Sequence, residues 1–173
     1  MSETRSVFEA SLNDLGVTVS HTERASLAAT LDEALVEPAV GVALAGEFAG
    51  PGDPLADAGI DVDPTPAALD GAVTGVSTAE IGIGDYGSLV LTLTDSGSEL
   101  VSLFVERHVV LVHEDDITPD MDAAVDAIEE TFTQTRGSAI IATGPSATAD
   151  MGALVKGAHG PESVHVIVIE EGA

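Results

Sequence analysis

A short segment near the end of the chain has residues that could bind an anion. Residues 143–150 read Thr-Gly-Pro-Ser-Ala-Thr-Ala-Asp, and they follow a β-branched run that predicts a strand at 138–142. The apolar spacing beyond predicts a helix near 147–157, with Ser146 as its N-cap. The first turn of a helix has unpaired backbone N–H groups and the positive end of the helix dipole. We therefore expect a phosphate- or carboxylate-binding turn, the alternative being an ordinary capped helix.

Hydroxyl groups and a glycine would complete this anion site. Thr143, Ser146 and Thr148 are hydroxyl donors, and Gly144 would let an anion approach the backbone. In open α/β sheets, ligands bind beyond the carboxyl ends of the parallel strands, where we expect this turn to lie. The turn is not a Walker loop, because no Lys-Ser or Lys-Thr pair follows a glycine there. It is not a nucleophile elbow either, because Ser146 stands in Gly-Pro-Ser-Ala-Thr.

The far end of the predicted helix is expected to lie away from the anion. Lys156 follows Thr148 by eight residues, which is about 12 Å along a helix axis. We therefore expect Lys156 to interact with the C-terminal end of the helix dipole. His159, in a His-Gly-Pro turn, has either a structural or interface role or a catalytic or ligand-binding one. His165 stands in an apolar strand predicted at 164–169 and is expected to be a hydrogen-bonded core histidine.

A second candidate is the glycine-rich segment 79–91. Gly84 and Gly87 would let the backbone come close to a ligand, and Asp85 is an acid at a strand end. Glu80 could serve as a base or a carboxylate nucleophile if it were buried beside the site. The alternative is a glycine-rich hairpin whose carboxylates lie on the surface.

The residue types in the chain exclude several kinds of site. The chain has no cysteine, which excludes a disulfide framework, a thiol nucleophile and an iron–sulfur cluster held by its own cysteines. The histidines form no i,i+4 pair on a predicted helix, and we expect no metal site and no resident cofactor. No apolar run approaches the roughly 18 residues of a membrane span, and residues 1–12 do not resemble a signal peptide. We expect no membrane insertion and a cytoplasmic location.

The charge of the chain is extreme. Thirty acidic and five basic residues give a formal net charge of −25, together with 45% hydrophobic residues. Disordered chains combine high charge with low hydrophobicity, so a folded, salt-adapted protein fits better. At molar salt the Debye length falls to ~3 Å, which removes most of the self-repulsion. The composition is typical of proteins from the high-salt cytoplasm of haloarchaea, and without a basic patch we expect no nucleic-acid binding.

The order of predicted elements indicates an α/β domain. Nearly continuous apolar strands alternate with helices, which predicts a three-layer fold with a largely parallel sheet covered on both faces. Some antiparallel pairing is expected in the central block, which lacks a clear helix. The predicted elements are N-terminal helices within 1–36, a long Gly/Pro/Asp-rich surface loop at 45–71, strands at 72–83, 88–94 and 109–113, and a helix at 118–134 capped by Thr118.

Two segments together resemble the lactate utilisation protein C family, whose shared unit is the LUD domain. The family's closing signature is close to S/T-G-P-S-x-T-A-D-I followed by G-x-H-G-P, and residues 143–150 and 157–161 match it. Segment 83–91 is similar to the family's I-A-[DE]-T-G-T-L-V-L, with Ser88 in place of threonine. The departures are Met151 for the isoleucine, Tyr86 for threonine, and the absence of the family's arginine and proline before His108.

The resemblance implies a single LUD domain over residues 1–173 with a NagB/RpiA/CoA-transferase-like fold. Family members act with iron–sulfur partner proteins in oxidising L-lactate to pyruvate, and a chain without cysteine would be a cluster-free component or accessory. The expected contacts of a small anionic metabolite are Thr143, Gly144, Ser146, Thr148, Asp150, Gly84, Gly87 and Ser88. Candidate catalytic groups are Asp85, Glu80, Asp150 and His159. The alternatives are an independent sugar-phosphate isomerase or CoA-transferase-like enzyme and a non-catalytic ligand-binding module.

Overall fold

Six parallel strands form the central sheet of the computed structural model, which describes residues 2–44, 46–48, 52–62, 64–93, 97–135, 137–150 and 153–170. The order of the strands is β1-β12-β7-β4-β2-β3, and every neighbouring pair is parallel. A smaller sheet of order β8-β5-β6-β9 and a hairpin of β10 and β11 complete the strands. The strands are β1 (Thr18–Glu23), β2 (Ala39–Gly41), β3 (Asp61–Val62), β4 (Thr74–Thr78), β5 (Ile81–Ile83), β6 (Ser88–Thr92), β7 (Arg107–His113), β8 (Ile117–Thr118), β9 (Ala139–Thr143), β10 (Ala147–Asp150), β11 (Ala153–Lys156) and β12 (Ser163–Glu170).

The described helices are α1 (Glu3–Asp14), α2 (Leu27–Ala34), α3 (Pro54–Asp57), α4 (Pro66–Asp70), α5 (Ser98–Leu103) and α6 (Met121–Thr135). Helices α2 and α3 cover one face of the central sheet. Leu27 and Leu31 of α2 and Leu55 of α3 pack on β7 and β12 in one core cluster. This α/β architecture with a parallel sheet confirms the predicted fold class.

The opposite face of the central sheet is covered by α1 and the smaller sheet. Phe8 and Leu12 of α1 and Leu89 and Leu91 of β6 pack on the other face of β7 and β12. Helix α6 lies on the outside of the smaller sheet, where Ala124 is fully buried against β5 and β6. Strands β5 and β6 are antiparallel, as expected for the central block. No helix in the described part of the chain is long and apolar enough to cross a membrane.

Three element assignments differ from the sequence prediction. The described part of segment 45–71 holds α3, β3 and α4 rather than one long loop, because Leu55 and Ile60 are buried in the core. Helix α5 was not predicted, since six residues with one buried side give little periodic signal. Helix α6 begins after Asp120, whose Oδ1 accepts the Ala123 N–H at 2.9 Å, rather than at Thr118. The Thr118 hydroxyl instead donates to the Gly82 carbonyl at 3.1 Å.

Gly75 lets α5 approach the central sheet closely. A Cβ at this position of β4 would clash with the backbone carbonyl oxygen of Val101 and would lie 3.0 Å from side-chain atoms of Val101 and Val105. The carbonyl belongs to α5 and cannot rotate away. This contact positions the end of α5, where Ser102 and Leu103 face the site described below.

We predict that Gly75→Ala destabilises the protein by about 1–3 kcal/mol, because the added methyl group displaces α5 from β4. Urea unfolding in molar KCl would measure the difference. Gly71→Ala is the control, since a Cβ there would be no closer than 3.6 Å to its neighbours. Equal stabilities of Gly75→Ala and the unmodified chain would contradict the prediction.

Candidate functional site

Residues 147–156 form a β-hairpin, so the predicted helix at 147–157 is wrong. Strand β10 pairs antiparallel with β11, and Ala147 lies opposite Lys156. Leu154 and Val155, two of the apolar residues whose spacing predicted the helix, are exposed. The hairpin is closed by a hydrogen bond from the Gly157 N–H to the Ser146 carbonyl at 3.0 Å. Ser146 therefore caps no helix, and no helix dipole faces the turn.

The hairpin also changes the position of the only lysine. The pairing of Lys156 with Ala147 places this lysine beside the start of the hairpin, because Ala147 directly follows Ser146. The predicted separation of Thr148 and Lys156 along a helix axis is therefore wrong. Lys156 is exposed and brings a positive charge to the same end of the segment as the turn.

Two turns meet at the base of the hairpin. The Ser146 N–H donates to the Pro161 carbonyl at 2.8 Å, which joins turn 143–146 to turn 159–161. A Cβ at Gly160 would lie 3.2 Å from the Ser146 Cβ, so glycine permits the close approach. His159, predicted to lie at the far end of a helix, is thereby brought to turn 143–146, which we call the TGPS turn after its sequence Thr-Gly-Pro-Ser.

A cleft of about 370 Å³ opens between these turns and the core. This volume is within the range of sites for small ligands, roughly 300–1,000 Å³. Its inner wall is apolar and belongs to the main core cluster: Leu12, Val17, Leu89, Leu91, Val110 and Val164. Its polar side chains are Ser102, His108, Thr143, Ser146 and His159.

No acidic residue is found among the twenty described residues that line the cleft. Acids make up 30 of the 173 residues of the chain. Twenty residues drawn at random from the chain would therefore include about three acids. Twenty residues from the surface, where charged residues concentrate, would include more. The lining is thus depleted of the charge that dominates the rest of the protein.

The cleft lies at the amino-terminal edge of the central sheet. Val17 precedes β1, and Val164 and His108 are near the starts of β12 and β7. Strand β9, which leads into the TGPS turn, belongs to the smaller sheet. The expectation that this turn lies beyond the carboxyl ends of the parallel strands is therefore wrong.

A group of charged residues occupies the carboxyl edge instead. The Arg5 guanidinium contacts Glu114 at 2.9 Å, Glu170 at 2.7 Å and Glu9 at 3.3 Å. His21 lies 3.3 Å from Glu9 and 3.6 Å from Glu170. Three carboxylates surround one guanidinium, so this edge is unfavourable for an anion.

His108 is a buried polar group of the cleft that the sequence analysis did not assign to the anion site. Its Nε2 forms a 2.8 Å hydrogen bond with the Ser77 hydroxyl on the neighbouring strand. Burial lowers the pKa of His108 from 6.5 to about 4, so the imidazole is neutral at physiological pH. The feature of the sequence that could have identified His108 is a histidine at the start of an apolar strand. The described residues contain no group of three His, Asp or Glu able to hold a metal ion.

His165 lies on the opposite face of the sheet, away from the cleft. Its Nδ1 is 2.7 Å from the Thr18 hydroxyl and its Nε2 is 2.9 Å from the Ser20 hydroxyl. Burial, with a further contribution from the Arg107 charge, lowers the pKa of His165 to about 4. Both ring nitrogens are hydrogen-bonded, as expected for a core histidine.

The structure brings only part of the predicted site together. Thr143, Gly144, Ser146, Gly87 and His159 line the cleft. The other predicted site residues in the described part of the chain do not line the cleft: Glu80, Gly84, Asp85, Ser88 and Thr148.

Two of these residues outside the cleft have other structural roles. Ser88 lies behind the cleft, where its hydroxyl is 2.7 Å from the Thr143 hydroxyl. The Asp85 N–H donates to the Pro119 carbonyl at 3.1 Å in an exposed turn. The side chain of Asp150 lies outside the described residues.

The fold and the cleft define an α/β protein with a ligand-sized site at the amino edge of a parallel sheet. The sequence model of the LUD domain matches residues 7–169, and the chain belongs to this family. Lactate utilization protein C of Deinococcus radiodurans is 30% identical over 169 residues, covering 94% of this chain and 77% of that protein. A crystal structure of a DUF162 family protein from the same organism shares the fold, with a TM-score of 0.69, 22% identity, and coverage of 98% of this chain and 99% of that one.

The buried His108 predicts a pH dependence of stability. Its pKa is about 4 in the folded protein and near ~6.5 in the unfolded chain. Between these values the unfolded state binds more protons, so the free energy of unfolding rises with pH and levels off above about 6.5. The expected contribution of His108 is about 3 kcal/mol.

Chemical unfolding at several pH values between 4 and 7 would measure this contribution. His108→Gln should lose that part of the slope, whereas Ser77→Ala, which keeps the imidazole, should retain it. An unchanged slope in His108→Gln would refute the assignment.

Proposed function

We propose that this LUD-domain protein binds a small carboxylate metabolite, such as lactate or pyruvate, in the cleft and is a cluster-free component of a lactate-oxidising iron–sulfur system. The observation that carries the proposal is the absence of acidic residues among the described lining residues in a chain of net charge −25. An anion-binding site in such a protein must exclude carboxylates from its walls, because like charges at short range oppose binding. The name of the related lactate utilization protein C supports the metabolic context.

The polar rim of the cleft offers groups suited to a carboxylate. The Ser146 hydroxyl makes no hydrogen bond to another described residue, so it is available to donate to a ligand. His159 is exposed at the same rim, and its ring can donate to a carboxylate oxygen. Gly144 adopts a left-handed φ of 67°, which lets the TGPS turn bend around the rim. In this proposal the hydroxyl and imidazole groups replace the predicted helix N-terminus as the anion-binding elements.

The proposed iron–sulfur partners are those that the family resemblance implies, and the residue types of the chain are compatible with them. Oxidation of lactate to pyruvate releases an electron pair that must pass to an acceptor. A chain without cysteine provides no ligands for a cysteine-bound iron–sulfur cluster. In the proposed system, a partner protein therefore carries the cluster, and this chain binds the carboxylate. The high net charge supports a high-salt cytoplasm as the location of this chain and its proposed partner.

The alternative of an independent isomerase or CoA-transferase-like enzyme has less support. That alternative used Glu80 or Asp85 as the acid, base or nucleophile, and neither carboxylate lines the cleft. A ligand-binding module without chemistry would use the same cleft and would differ only in having no effect on lactate oxidation.

We predict that L-lactate or pyruvate binds to the protein in molar KCl and that Ser146→Ala weakens binding by about tenfold, as expected for loss of a hydrogen bond to a charged group. His159→Gln should weaken binding to a smaller extent, because the amide can still donate. Isothermal titration calorimetry would measure both effects.

Matched controls lie outside the cleft. Ser6→Ala removes an exposed hydroxyl of α1, and His21→Gln removes an imidazole at the carboxyl edge. Both should bind like the unmodified chain. Equal losses in the cleft variants and their controls, or no binding by any of them, would disprove the proposed site.

We also predict that the protein co-purifies with cysteine-rich iron–sulfur proteins from cells grown on lactate, when the extract is kept in molar KCl. Mass spectrometry and the visible absorbance of the clusters would identify the partners. Recovery of the protein alone, with unchanged lactate oxidation in cells lacking it, would contradict the proposed system.

A further inference from the structure

We infer that the cleft accepts monocarboxylic acids whose hydrocarbon part is longer than the methyl group of lactate, with the carboxylate at the rim and the hydrocarbon part against the inner wall. This inference rests on the proposed function and specifies the substrate class of the same site.

The size of the cleft is the first argument. Its volume of about 370 Å³ would hold about a dozen water molecules at ~30 Å³ each. Lactate has the volume of only about four water molecules on the same scale. A ligand as small as lactate would leave most of the cleft to solvent, whereas an acid with several more carbons would fill it.

The chemistry of the inner wall is the second argument. Leu89 and Leu91 line the cleft with the 3% and 4% of their surface that is exposed, whereas Leu12 and Val110 border it without exposed surface. These side chains belong to the main core cluster, so the wall is rigid and apolar. Such a wall offers no hydrogen bonds to a second polar group along most of its length. Where this wall is exposed, it favours the displacement of water by methylene groups.

The distribution of polar groups fixes the orientation of the ligand. Ser146 and His159 belong to the two turns at the rim, whereas the inner wall contains the neutral His108, already hydrogen-bonded to Ser77. A carboxylate moved inward would lose its hydration without gaining a charged partner. The carboxylate therefore stays at the rim and the hydrocarbon part points inward.

The rim also has an apolar side. Leu103, at the end of α5, is 41% exposed and lines the cleft, and it lies close to Gly160. A longer hydrocarbon part would cover this exposed side chain, which a small acid would leave in water. Burial of Leu103 would add to the affinity for longer acids.

Titration calorimetry in molar KCl with L-lactate, 2-hydroxybutanoate, 2-hydroxyhexanoate and 2-hydroxyoctanoate would test the inference. The Kd should fall by up to about fourfold for each added methylene group until the cleft is filled, and then level off. Hexanol, which lacks the carboxylate, should bind far more weakly than 2-hydroxyhexanoate.

A variant that fills the cleft provides the decisive comparison. Ala142 lines the cleft from β9, opposite Leu89. Ala142→Leu should weaken binding of 2-hydroxyoctanoate by about tenfold or more and binding of lactate by a smaller factor. Leu103→Ala, at the apolar side of the rim, is the second variant if Ala142→Leu does not fold, and it should weaken binding of 2-hydroxyoctanoate more than binding of lactate. Ala67→Leu, on the exposed side of α4, is the matched control.

The outcomes separate this inference from the proposed function. Tight binding of lactate with no gain for longer acids, or equal losses for all acids in Ala142→Leu, would overturn the inference and leave the proposed function intact. Binding of longer acids without any binding of lactate would support the inference and overturn the lactate assignment. No binding of any acid would overturn both.

Discussion

The structure depends on the insertion of β12 between β1 and β7 of the central sheet. Strand β12 pairs with β1 on one side and β7 on the other, and its residues from Val164 to Ile169 are all buried. A parallel strand in this position must enter from the same edge as its neighbours, so the preceding chain returns across the amino edge. That return places turn 159–161 beside turn 143–146, and the cleft is the space between these turns and the core. The position of the site therefore follows from the sheet topology.

Strand β12 also positions a charged residue at the carboxyl edge of the central sheet. Its last residue, Glu170, contacts Arg5 at 2.7 Å, which joins the end of β12 to α1. Glu114, which follows β7, contacts the same guanidinium at 2.9 Å. In many open α/β sheets the carboxyl edge binds ligands, but here it holds a net excess of carboxylates. At the amino edge the described residues that line the cleft include no acid, so repulsion of an anion is weaker there.

The sequence was sufficient to predict the parallel sheet, because strands such as β7 and β12 are continuous apolar runs buried on both faces. It was not sufficient to predict the hairpin at 147–156. Its apolar residues have helical spacing by chance, and short segments rich in alanine and leucine fit either structure. The pairing was decided by tertiary hydrogen bonds, such as that from Ser146 to Pro161. The predicted helix also separated His159 from residues 143–146, which the structure brings together. The edge of the sheet at which they lie depended on the assignment of β9 to the smaller sheet, which strand composition does not reveal.

The charge of the protein and the neutrality of the cleft have a common physical basis. Over distances of several ångströms, the field of a chain with net charge −25 opposes any approaching anion. Molar salt reduces the Debye length to ~3 Å, so that distant carboxylates no longer contribute and only the groups lining the cleft act on a bound ligand. Acidic residues can then accumulate over the rest of the surface without preventing anion binding, provided that the cleft excludes them. The described lining residues, which include no acid, and the neutral His108 meet this condition, so the acidic surface is kept separate from the proposed binding site.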